Sequence, residues 1–73
     1  MATYTLVLTR SDSGESSNLA DFPDDETIIA DARGVLSDEV TSIAIGRGAP
    51  ACEVEWLGVW DWNGGSPMWS AED

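Results

Sequence analysis

Seventy-three residues leave room for a single domain with one modest core, because chains this short bury only about 60% of their unfolded surface. Fourteen acids face three bases (Arg10, Arg33 and Arg47), with no His and no Lys, for a formal net charge of −11. Such a field repels phosphates and argues against direct nucleic-acid binding, while catalysis is left to carboxylates, Tyr4 and Cys52.

The chain opens on Thr3 to Thr9, rich in β-branched and aromatic residues, with Tyr4, Leu6 and Leu8 alternating against Thr5, Val7 and Thr9. That pattern predicts a half-buried, central strand. Ser11 to Asn18 gathers Ser, Asp, Gly and Glu and predicts an exposed loop, after which Asn18 to Phe22 returns as a short antiparallel strand. Phe22-Pro23-Asp24-Asp25-Glu26 marks a helix start, with Asp24 as the cap and acids at the positive end of the dipole. Ile28, Ile29, Ala32, Val35 and Leu36 then form one apolar stripe. Gly34 within it weakens the helix by about 1 kcal/mol relative to Ala and signals close packing or an early end. Ser37-Asp38-Glu39 is the expected terminator.

Thr41 to Arg47 alternates Ile43 and Ile45 against Ser42, Ala44 and Gly46, a second strand broken by Gly48-Ala49-Pro50. Glu53 to Trp62 is the longest strand, with Val54, Trp56, Gly58, Trp60 and Trp62 on its even positions. Gly58 in mid-strand points to a bulge or a close backbone approach. Asn63-Gly64 followed by Gly65-Ser66-Pro67 predicts a hairpin loop longer than two residues, and Met68 to Ser70 a final strand. The order β-(β)-α-β-β-(β) implies an α+β two-layer sandwich, one helix on a mainly antiparallel sheet of three to five strands.

Chemistry is absent where an enzyme needs it. Cys52 stands alone, without a His to activate it, so no internal disulfide or Cys-based zinc site forms. Gly46-Arg47-Gly48 lacks the Lys and spacing of a phosphate loop, and no acidic run matches a calcium-binding loop. No catalytic residue, cofactor or metal is expected. No signal peptide or membrane span is legible, so the chain reads as intracellular and soluble.

Two features point to a binding surface. Acids recur at the helix start (Asp24, Asp25, Glu26), after the helix (Asp38, Glu39) and on the long strand (Glu53, Glu55, Asp61). Residues two apart on a strand lie about 6.8 Å apart on one face, so Glu53 and Glu55 are expected to imitate successive phosphates at Arg or Lys sites. Trp56, Trp60, Trp62 and Trp69 form the second feature. A small core buries two of them, leaving one or two at a surface; Trp60 and Trp62 are the candidates for partner contact.

In length, charge, compact α+β pattern and missing catalytic inventory, the chain resembles the small acidic phage-encoded inhibitors of bacterial defence, anti-CRISPR proteins especially. No diagnostic motif carries the likeness. It implies an inhibitor in the cytoplasm of a bacterial host that occupies the basic nucleic-acid-binding surface of a CRISPR effector and blocks target DNA, its acids imitating phosphates; monomer and homodimer both stay open. Two alternatives remain open on the residues alone: an inhibitor of another basic nuclease or defence enzyme, and a salt-adapted domain with no charged partner.

Overall fold

The computed structural model describes residues 2–49 and 53–72. Five antiparallel strands and one helix run β1 (Ala2–Arg10), β2 (Glu15–Phe22), α1 (Asp25–Arg33), β3 (Val40–Arg47), β4 (Glu55–Trp62) and β5 (Pro67–Ala71). Strand order is β2-β1-β3-β4-β5, so β3 holds the centre and β1, expected there, lies one in from the edge. The α+β class read from the residues is the fold observed, with every expected strand present.

Register assigns the side chains to faces. Leu6 lies opposite Ile45, Leu8 opposite Ile43, and Ile43 opposite Trp60, which lies opposite Trp69. This face meets the helix: Tyr4, Ile43, Ile45 and Trp60 form one buried cluster with Ile28, Ala32 and Leu36. Tyr4, Ile28, Ile43 and Ile45 are fully enclosed. Each such burial stabilises the fold by about 1.5–3 kcal/mol before chain entropy is subtracted.

Several boundaries differ from expectation. The loop anticipated over Ser11 to Asn18 is a tight turn that ends before Glu15, and β2 is eight residues long. Its Ser- and Asn-rich start has little strand propensity, but β1 supplies a continuous partner from Thr9 opposite Glu15 to Ala2 opposite Phe22. The helix stops at Arg33, four residues before Ser37, and Gly34 caps it in a helical conformation with φ −72°. The apolar stripe runs past the helix because Leu36 is still buried, carried inward by the turn rather than by the helix, while Val35 faces solvent. Ser37 instead organises the turn into β3, its Oγ accepting from the backbone N–H groups of Glu39 and Val40 at 3.2 Å each.

A bulge interrupts the pairing of β3 with β4. Ile45 lies opposite Gly58 but Gly46 lies opposite Trp56, which leaves Leu57 as the extra residue. The expected mid-strand irregularity at Gly58 is therefore real. A side chain at Gly58 would meet the Ser70 carbonyl at 2.5 Å and the Trp69 ring at 2.6 Å, so the close approach is real as well. The β4–β5 loop carries Gly64 and Gly65 at φ 61° and 111°, in the left-handed region that glycine adopts freely.

Candidate functional site

One ionic cluster joins the helix start to the sheet. Asp24 caps α1, its Oδ1 accepting from the Thr27 backbone N–H at 2.8 Å and the Thr27 hydroxyl at 2.6 Å. The next residue, Asp25, accepts from the Tyr4 hydroxyl at 2.6 Å and pairs with Arg47. Arg47 also reaches Glu55 at 3.5 Å. Bonding to Thr27 holds the Asp24 carboxyl below the usual carboxylate range, and bonding to the Tyr4 hydroxyl and then Arg47 does the same for Asp25. The Tyr4 phenol is pushed up by its bond to that carboxylate and by burial. These groups are matched to one another, which gives them a structural task.

The remaining sequence candidates separate in the same way. Trp60 is only 8% exposed and its indole N–H donates to the Ile29 carbonyl at 2.9 Å, so it is a core residue and not a surface anchor. Trp62 is half-buried and donates to Asp38 Oδ1 at 3.0 Å. Glu53 precedes β4 instead of lying on it, and Glu55 bonds Arg47. The strand-borne, phosphate-like pair of Glu53 and Glu55 is therefore not formed. Glu26, Glu39, Glu53 and Asp61 are exposed. Cys52 and Pro50 lie outside the described residues, and the readings made of them go with them. Among the described residues no three metal-binding side chains converge, and no helix is long and apolar enough to cross a membrane.

The face of the sheet away from the helix brings Trp56 and Asp61 together with residues the sequence reading did not single out. Register places Leu19 beside Thr5, Gly46 and Trp56 across four strands, and Ser17 beside Val7, Ala44, Val59 and Ser70 across five. A third row runs Glu15, Thr9, Ser42, Asp61 and Met68. Leu19, Trp56 and Met68 are 58%, 43% and 56% exposed. Trp56 lies over Gly46, where an added side chain would come within 2.9 Å of its ring. Thr5 is buried on this face, donating to the Gly48 carbonyl at 2.7 Å. The result is a shallow apolar band fringed by Ser, Thr and three carboxylates (Glu15, Asp21 and Asp61), and no Arg falls in these rows.

The signal for Trp56 was present in the sequence. Simple alternation puts Trp56, Trp60 and Trp62 on one side, but a bulge reverses alternation, so the irregularity at Gly58 sends Trp56 to the opposite face from Trp60. Leu19 and Met68 had no such signal, because their exposure depends on which strands neighbour them. Comparison with protein-family models, with curated proteins and with solved structures returns no match for this chain.

Proposed function

We propose that this protein acts by binding a basic protein surface through the open face of its sheet, as an anti-CRISPR-type inhibitor that occupies the nucleic-acid-binding surface of a CRISPR effector and blocks target DNA. The observation that carries the reading is the company Trp56 keeps: an exposed indole in an apolar band fringed by carboxylates with no cation in its rows. Indoles recognise Arg through the ring face, and the acids supply the steering and the ionic partners. Asp24, Asp25 and Glu55 are bonded within the fold and Glu26 lies on α1 over the opposite face, so the phosphate imitation falls to the exposed acids of the open face, Glu15, Asp21 and Asp61.

The test is capture of purified CRISPR effector complexes by the immobilised chain, followed by target-DNA binding assays at increasing salt. Capture that weakens steeply with salt, and that is lost in the Glu15→Lys/Asp21→Lys/Asp61→Lys variant, supports the reading. Capture that ignores both salt and charge reversal overturns it. Capture of a different basic nuclease in place of the effector would keep the binding face and change the target.

A further inference from the structure

The two edges of the sheet are built differently. β5 is five residues long and starts at Pro67, and short or proline-bearing edges resist pairing with another chain. β2 is eight residues long, and its register with β1 runs without a shift from one end to the other. Its centre, Ser16-Ser17-Asn18-Leu19-Ala20, holds no charge, no proline and no bulge. The outer side of β2 therefore offers a regular row of backbone donors and acceptors as a template for a further strand.

Both faces of this edge are prepared for the side chains of such a strand. On the open face Leu19 is 58% exposed. On the helix face β2 contributes only Ser16, Asn18 and Ala20 beside Phe22, too small to fill the space under α1. A cleft of about 130 Å³ remains there, walled by Leu6, Leu8, Ile28 and Val35, with Asn18 and Asp31 as its polar lining. A closed apolar cavity of roughly 150 Å³ takes a benzene-sized guest, so this cleft is sized for one long side chain.

We infer that β2 receives an extended segment of the partner protein as a sixth strand. Alternate side chains of that segment lie over Leu19 and enter the cleft, and the cleft takes the aliphatic stem of a Lys or Arg whose charge meets Asp31. Side chains of a strand alternate between faces, which matches one site on each side of the edge. The inference rests on the reading of a basic protein partner. Charge selects that occupant over a second copy of the chain: Glu15 and Asp21 flank the edge and Asp31 lines the cleft. Pairing two copies along β2 would bring those acids together between molecules that each carry −11, and like charges across a strand pair are destabilising.

The experiment uses the full chain and a capped hexapeptide of alternating Val and Arg. Nuclear magnetic resonance follows amide shifts and hydrogen exchange, with a backbone N-methylated peptide of the same sequence as control. The expected result is slowed exchange at alternate amides of Ser16 to Ala20, shifts at Ile28 and Val35, and binding at least about tenfold weaker for the methylated peptide. Asp31→Asn should weaken the Arg peptide several-fold and leave a peptide with norleucine in place of Arg unchanged. Equal binding of both Arg peptides, with shifts confined to the open face, would overturn strand addition while leaving the basic-partner reading in place. Failure of every cationic peptide at low salt, together with failure to capture a basic effector, would remove that reading too. A dimer in sedimentation with protected β2 amides would overturn the inference by giving the edge to a second copy.

Discussion

The two faces of this sheet share every strand yet do opposite work. Toward the helix stand Tyr4, Ile43, Ile45 and Trp60, enclosed, with the Tyr4 hydroxyl and the Trp60 indole each bonded across to α1. Away from the helix stand Leu19, Trp56 and Met68, exposed among hydroxyls and acids. The one helix among the described residues closes only one face, so burial is concentrated there and the other face stays open to solvent. Substitutions on the two faces should therefore have separable consequences, and each of the following can break that division.

The largest effect is expected on the closed face. Trp60→Ala should cost about 3–5 kcal/mol, enough to unfold so small a domain, as read by urea denaturation. A folded Trp60→Ala variant that loses binding would place Trp60 in the interface after all. Next comes Gly58→Ala, in which the new methyl presses on the Ser70 carbonyl and the Trp69 ring; overpacking of this kind costs about 1–3 kcal/mol. Gly46→Ala should cost a similar amount, because the new methyl meets the stiff Val54 side chain and the Trp56 ring.

Tyr4→Phe, which removes the bond to Asp25, should cost about 1 kcal/mol and alter the dependence of stability on pH. The folded carboxyls of Asp24 and Asp25 are depressed, so their stabilisation is present above the unfolded carboxylate value near 3.9 and is lost as pH falls through the folded values. The folded Tyr4 phenol is raised, so its stabilisation is present below the unfolded value near 10 and is lost as pH rises through the raised one. Melting temperature should thus hold a plateau between these limits and fall at both ends. Tyr4→Phe should abolish this tyrosine's share of the alkaline fall and shrink the acid one, and an unchanged profile would show that the cluster does not couple helix to sheet.

The smallest stability effect belongs to the open face. Trp56→Ala should change unfolding free energy by about 1 kcal/mol or less while weakening partner capture about 30-fold, as an interfacial indole would. If Trp56→Ala proved as damaging to folding as Trp60→Ala, the two faces would not be divided as described.

Much of the closed face was legible in the residues. Alternation located β1, β3 and β4, and the Asp24 cap located the start of α1, because both signals are local. The first half of β2 is not legible locally, because Ser16, Ser17 and Asn18 carry little strand preference of their own and β1 supplies the pairing that makes them a strand. The outward tryptophan is hidden from simple alternation for a similar reason. Trp60 and Trp56 are four residues apart and look alike in sequence, but the extra residue at the bulge turns one into the core and the other out of it. Strand spacing makes Glu55 half of a phosphate-like pair, but the fold sets Arg47, eight residues away, against it.

The residues alone decided that this chain is an acidic α+β domain without histidine or lysine, since charge, composition and periodicity are properties of the chain however it packs. Only the folded sheet decided which acids are committed to Tyr4, Thr27, Arg47 and Trp62, which tryptophan faces outward, and which edge and cleft stand open. Those outcomes depend on register between strands far apart in the chain, and a shift of one residue there reverses the face of every side chain beyond it.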